Sequence, residues 1–480
     1  MSQRINNETI ENETIDNGSL PQEFVACMIE QMGGDAAQRL FDALDDERST
    51  TIRVNRDKCS GVDELSVLKE IESERVPWSS QGYYLTQRPK FTYDSAFHAG
   101  AYYVQEASSH FVGHILECVE GDMSGKRVLD TCAAPGGKTT LYSTLVGSEG
   151  LVVAGEINRG RASVLADNAR KWGLGNIVVV NSDVEPLAKF EMFYDVVAID
   201  APCSGEGMFR KMSQARDEWS PSSVGLCAKR QGDILRTAWG ALKSGGVLIY
   251  STCTFNRWEN EGALEEFERW CDGEVCEAEE VVVADSWGVE KGQQGSFQTF
   301  RFTPSKSRGE GFFVAVARKR ESAQGRRRTP KGVKKIFAPL SKADAAECGR
   351  WVVEASKMKF YAVGDTVYGY SAAQSDVVVS LGESLNVIYS GVAMGEVIKG
   401  RLNPNGALAL FAQLRREQLN VARLESDEML SYLRRGDVAA ERFTEGVNLV
   451  TDVDGFAMGF AKRVGGRVNN RYLNSLRIIK

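Results

Sequence analysis

Arg127-Val-Leu-Asp-Thr-Cys-Ala-Ala-Pro-Gly-Gly-Lys-Thr-Thr140 reads as a short apolar strand that ends at Asp130, a glycine-bearing turn, and a helix continuing through Leu145. Such a turn leaves N–H groups unpaired at a helix N-terminus, where the macrodipole also favours negative charge. Gly136 and Gly137 remove Cβ atoms that would keep a ligand from the backbone, and Pro135 stiffens the turn. The stretch predicts a small-molecule site. Gly137-Lys138-Thr139 matches the end of a P-loop, but Cys132 stands where its first glycine belongs, and no Gly-x-Gly-x-x-Gly spacing occurs.

The strands that follow decide between ligands. Leu151 to Glu156, Ile177 to Asp183 and Asp195 to Asp200 alternate with helical segments, the pattern of a mostly parallel sheet with helices on both faces. Val247 to Cys253 makes a fifth strand, and Phe297 to Phe302 with Gly311 to Ala317 an antiparallel hairpin. Asp130, Glu156, Asp183 and Asp200 thereby reach one rim, at the carboxyl ends where open α/β sheets bind ligands. An acid ending the second strand suits two ribose hydroxyls, and one ending the third suits the adenine amine. With the turn at the amino-acid end, this favours S-adenosyl-L-methionine.

Asp200-Ala-Pro-Cys-Ser-Gly205 follows the fourth strand and Ser251-Thr-Cys-Thr254 the fifth, so Cys203 and Cys253 point at one cleft. Cysteine is as a type mostly inert core, but two at strand ends beside an acid-lined rim fit methylation of a pyrimidine at carbon 5. A thiolate adding to carbon 6 makes carbon 5 nucleophilic, and Asp200 can engage N3 and the exocyclic amine of cytosine. A thiol with its ordinary pKa near 8.5 needs a positive setting, and Lys138 is nearest by topology. This chemistry leaves open which cysteine attacks.

The three motifs resemble those of the Fmu/Sun family of RNA cytosine-5 methyltransferases. The resemblance implies a Rossmann-like α/β domain, Cys253 as nucleophile, and Cys203 assisting proton loss or release. It also implies cofactor contacts from Cys132, Ala133, Ala134, Pro135, Gly136, Gly137 and Lys138 with Glu156, Asp183 and Asp200. The ending Gly459-Phe-Ala-Lys-Arg-Val-Gly465 with Asn469-Asn470 resembles the PUA-like RNA-binding domain of family members acting on small-subunit ribosomal RNA, the substrate so implied. Lys462, Arg463, Arg467 and Arg471 are the phosphate-contact candidates. A transfer RNA substrate, or an ATP-dependent P-loop RNA-binding factor, are the rival readings.

The 480 residues exceed one ordinary core. The expected division is a disordered tail (1–20), a small α+β domain (21–95), the catalytic domain (96–318), a basic linker (319–340) and a β-rich RNA-binding region (341–480). Within these, a helix is expected over Val62 to Ile71, strands at Val377 to Leu381 and Leu385 to Tyr389, and helices over Ala407 to Arg435. Arg53 reads as a solvated surface arginine, and Gln105 and Glu106 as site-lining or helix-capping groups. The linker's cations, among them Arg318, Lys319, Arg320, Arg326, Arg327, Lys331 and Lys334, read as mobile phosphate-tracking groups, with a merely solvated linker as the alternative. A net charge of −7 argues against indiscriminate coating of nucleic acid. Ten cysteines without a Cys-x-x-Cys pair, and three histidines, predict neither a disulfide framework nor a metal site. Without a long apolar run or a signal sequence, the expectation is a cytoplasmic monomer with no membrane partner.

Overall fold

The computed structural model describes residues 20–321, 328–330, 332 and 335–479. The tail expected to be disordered lies outside these residues except for Leu20, which is buried against Phe24 and Phe41. Of the linker's cations, Arg326, Arg327, Lys331 and Lys334 also lie outside them.

The organising element is a ten-stranded sheet. Its strands are β1 (Arg127–Asp130), β2 (Leu151–Gly155), β3 (Ile177–Val180), β4 (Tyr194–Asp200) and β5 (Leu242–Thr252), then β6 (Glu290–Gln294), β7 (Phe297–Phe302), β8 (Phe312–Lys319) and β9 (Val387–Ser390). They lie in the order β6-β7-β8-β5-β4-β1-β2-β3-β9, with the two-residue strand Val275–Cys276 paired to β8. The five from β3 to β5 are parallel, and β8, β7 and β6 continue antiparallel. Their Val-, Ile- and Leu-rich runs are buried on both faces, as covered parallel strands must be. The chain passes from β3 across to β4 on the other side of β1, so a crevice opens at the carboxyl ends of β1 and β4. The helix Arg159–Trp172 is set sharply at both ends: Asn158 accepts from Arg161 N, and Gly173 closes it at φ 78°.

The N-terminal residues form a four-stranded antiparallel sheet, in the order 73–75, 82–85, 50–54 and 102–104. The two helices before it, Gln22–Met32 and Gly34–Asp45, pack on the catalytic unit. Phe24 sits edge-on to Phe209 and Trp219, with ring centroids 5.0 and 5.6 Å apart. The helix expected over 62–71 is two short 3-10 turns, Val62–Glu64 and Ser66–Leu68, separated by extended Leu65. Leu65 and Leu68 reach the core from those turns, and Ser66 N is held by Asp454.

Beyond β8, a five-stranded antiparallel sheet spans 338–404 and a four-stranded mixed sheet 420–470, whose first pair of strands is parallel. The expected strand at Val377 to Leu381 lies inside the helix Ser375–Ser384, which buries Val378 and Leu381 three residues apart. A short continuous apolar run fits either state, and here helical spacing decides. β9 leaves the C-terminal part of the chain to edge the catalytic sheet against β3. The helix-rich expectation for 407–435 is met only at Gly406–Ala409 and Ser426–Leu433, because strand Asn420–Arg423 runs between them, paired with 446–451. No described helix is long and apolar enough to cross a membrane.

Candidate active site

A single cavity of about 960 Å3 runs along the carboxyl ends of the parallel strands. One half is built on β1, β2 and β3. Asp130 is fully buried at the end of β1, accepts from Thr139 Oγ1 at 2.6 Å, and is pushed by burial up to about 7. The turn threads between neighbouring strands through Thr131 N to Ala198 O and Ala133 N to Gly155 O. Cys132 and Ala134 line the cavity, whereas Ala133, Pro135, Gly136 and Gly137 do not.

A Cβ on Gly136 would meet Leu165 at 2.9 Å, and one on Gly137 would meet Gln105 at 3.1 Å, so their missing side chains leave room for these two protein groups. Gly136 also holds φ 111°, which favours glycine. Glu156 receives Asn158 N at 2.8 Å and faces Arg161 at 3.3 Å. Asp183 lies three residues beyond β3, capping the helix Val184–Ala188 through Val184 N. Burial raises the Cys132 thiol to about 12.

Arg53 is a correction. Its guanidinium is wholly buried and donates to Gln105 Oε1, Gly137 O and Thr140 Oγ1 at 2.9, 3.0 and 2.6 Å, and it lies 4.5 Å over the Trp172 ring. Burial pushes its pKa down to about 9. It ties the N-terminal sheet to the first turn of the helix at the cofactor rim. Glu106, by contrast, caps Ser108 and Ser109 and also receives Glu310 N at 3.2 Å on the cavity wall.

The other half of the cavity stands on β4 and β5. Cys203 Sγ and Cys253 Sγ lie 3.2 Å apart. Lys138 Nζ is 2.8 Å from Asp200 Oδ2, while Ser251 Oγ donates to Asp200 Oδ1. Burial opposes the charge on Lys138, but Asp200 outweighs it and holds that pKa above its ordinary value. The Cys203 S–H lowers the Cys253 pKa, with further help from Lys138 and Lys211 against burial and Asp200. The same contact, burial and Glu259 push Cys203 well up.

Two buried carboxylates, missed by the sequence reading, cross between the cysteine loops. Glu206, from the Cys203 loop, accepts from Phe255 N, Asn256 N and Asn256 Nδ2 at 2.6, 2.9 and 2.9 Å, and from Trp219 Nε1 at 3.0 Å. Glu259, from the Cys253 loop, accepts from Ser204 N, Gln231 Nε2 and Asn256 Nδ2 at 2.9, 2.8 and 2.7 Å. The only local signal is an acid a few residues after each motif cysteine.

The basic candidates divide. Arg463 spends its guanidinium on the carbonyls of Gly465, Ala440 and Phe443, and Arg471 bonds Asn403 at 2.6 Å. Lys462 is half-buried and Arg467 exposed on the hairpin of strands 457–464 and 467–470. In the linker, Arg318 pairs with Glu120 and Glu279, while Lys319 lies over Trp239. Arg320 donates to Gly273 O. These three belong to the folded body, because β8 extends through Lys319.

Residues 114–318 match the family model of 16S rRNA methyltransferase RsmB/F, 20–107 that of the N-terminal domain of 16S rRNA methyltransferase RsmF, and 419–478 that of the methyltransferase RsmF PUA domain. Ribosomal RNA small subunit methyltransferase F of Erwinia tasmaniensis is 30% identical over 484 residues, 94% of this chain and 96% of that protein. The chain belongs to this family. The Pectobacterium atrosepticum member is 34% identical over 342 residues, 68% of this chain and 69% of its own. A methyltransferase homologue from Pyrococcus horikoshii, 25% identical, aligns at a TM-score of 0.51 over 62% of this chain and 95% of its own. The family is one of S-adenosylmethionine-dependent RNA methyltransferases with a Rossmann-like catalytic domain and a C-terminal PUA domain. The P-loop reading falls with it, and Lys138 is in any case committed to Asp200.

Proposed function

We propose that this protein methylates carbon 5 of a cytosine in RNA, with small-subunit ribosomal RNA as substrate, through a covalent bond between Cys253 and carbon 6 of the base. The observation that carries the reading is the pair of sulfurs 3.2 Å apart in the same cavity as the acid-lined rim. The residues fit S-adenosylmethionine: Glu156 and Asp183 offer carboxylate acceptors for ribose and adenine, and Cys132, Ala134 and Lys138 wall its amino-acid end. Bound there, the cofactor supplies an electrophilic methyl carbon on its sulfonium.

The protein's own groups do the rest. The Cys253 thiolate bonds to carbon 6, and carbon 5 gains the electron density that lets it take the methyl group. Asp200, held by Lys138 and Ser251, meets N3 and the exocyclic amine and steadies charge on the ring. The carbon 5 proton then passes to water in the open cavity, the carbon–sulfur bond breaks with its electrons returning to the Cys253 sulfur, and the double bond returns. Cys203, kept protonated, donates its S–H to the departing Cys253 thiolate. A base within folded RNA must be unstacked into the cavity at about a few kcal/mol; Lys462 and Arg467 of the PUA domain are the proposed phosphate contacts that help offset it. The protein acts in the cytoplasm, where ribosomal RNA is modified. Bisulfite sequencing of ribosomal RNA from cells with and without this gene tests the reading. One cytosine should lose protection when the gene is absent, and an unchanged pattern in ribosomal and transfer RNA refutes it.

A further inference from the structure

We propose that Glu259 is the positioning residue that decides which of the two thiols acts as nucleophile, an inference that rests on the cysteine chemistry above. Glu259 follows Cys253 in sequence but grips the other loop. Both neighbours of Cys203 are tied to it: Ser204 N donates directly, and Gln231 Nε2 bridges it to Pro202 O at 3.0 Å. Burial and Glu206 raise the Glu259 pKa, but its oxygens receive three N–H donors, a set that suits a group with acceptors only and works against that rise.

The charges around the sulfurs are consequently lopsided. The anion beside Cys203 is Glu259, whereas Lys138 and Lys211 act on Cys253. Asp200, the acid that opposes them at Cys253, is paired with Lys138 at 2.8 Å. Glu206 braces the loops through four N–H donors and adds no charge that favours ionising Cys203. Cys227 and Tyr250 also lie in the field of Glu259, and burial holds both neutral, pushing the thiol up to about 11 and the phenol well above its ordinary value. A buried negative charge on the Cys203 side keeps the proton there, so Cys203 donates and Cys253 carries the thiolate.

The test is the site selectivity of iodoacetamide on the full-length protein with S-adenosylhomocysteine present, mapped by peptide mass spectrometry near neutral pH. A thiolate displaces iodide, so the label follows the ionised sulfur. In the unaltered protein Cys253 should be labelled over Cys203 by about tenfold or more, one pKa unit being a factor of ten in thiolate. In Glu259→Gln the preference should fall to about threefold or less, half a unit, with S-adenosylhomocysteine affinity unchanged. Glu259→Asp keeps the charge but withdraws it by one methylene, and should fall between; it decides the matter if the Gln variant does not fold. Full Cys253 preference in the folded variants overturns the inference. Absence of any preference in the unaltered protein instead counts against Cys253 as the nucleophile, which separates the two failures.

Discussion

The two halves of the cavity are built by different means. On the acid-lined side, the main chain does the placing: Asp130 ends a strand, Glu156 follows one, and the turn is pinned by backbone bonds from Thr131 and Ala133 to the neighbouring strands. On the thiol side, two loops are held at 3.2 Å by side chains, with Glu206 and Glu259 reaching across in opposite directions. Behind them the helix Gln22–Met32 packs Phe24 on Phe209 and Trp219, and Gln31 receives Arg257 N. A site set by strand ends tolerates changes in distant side chains, whereas one set by buried carboxylates depends on each of them.

That contrast can be broken experimentally, and the largest effect belongs to the thiols. Cys253→Ala should lower methyl transfer by roughly 10^4-fold or more, as removal of a covalent nucleophile does elsewhere, while S-adenosylhomocysteine affinity by calorimetry stays unchanged. Parallel losses in both measurements would mean that the halves are not separable. Asp200→Asn comes next, at about 10^2–10^3-fold in kcat, the scale of a lost group that stabilises developing charge; single-turnover kinetics reads it.

Glu206→Gln turns one acceptor oxygen into a donor facing N–H groups. It should cost about 1–3 kcal/mol of stability per group left unpaired, seen as a lower Tm, and slow adduct formation more than it weakens cofactor binding. Arg53→Met probes the opposite side. It removes bonds to Gly137 O and Thr140 Oγ1, so cofactor affinity should fall about tenfold, within the 1–3 kcal/mol of a lost charged hydrogen bond. Thiol selectivity should not change.

The smallest effect is on pH dependence. Because the Cys203 contact, Lys138 and Lys211 lower the Cys253 pKa, adduct formation should rise with pH and level off below the ordinary thiol range near 8.5. Lys211→Met removes one stabilising cation from the thiolate, so the plateau should move to higher pH by less than about one unit. A shift to lower pH contradicts the assigned charge balance.

Legibility follows the same division. The parallel strands, their acids and both motif cysteines are readable because each is set by local pattern: an apolar run, then a polar residue at its end. Arg53 is not readable, since its burial comes from docking the N-terminal sheet against Trp172 and the helix Gly137–Val146. Glu206 and Glu259 look like solvated loop acids until the loops are seen facing each other. Gly136 and Gly137 are legible as necessary, but what approaches them is Leu165 and Gln105, and only the fold shows that. The run 377–381 fails for another reason: three valines and a leucine carry no period of their own.

The most direct measurement is intact mass after incubating the protein with S-adenosylmethionine and substrate RNA. Cys203→Ala should accumulate a protein–RNA adduct, because bond formation at Cys253 proceeds while release is slowed, and the double variant with Cys253→Ala should show none. An adduct that persists without Cys253, or that never forms in Cys203→Ala while methyl transfer continues, contradicts the account.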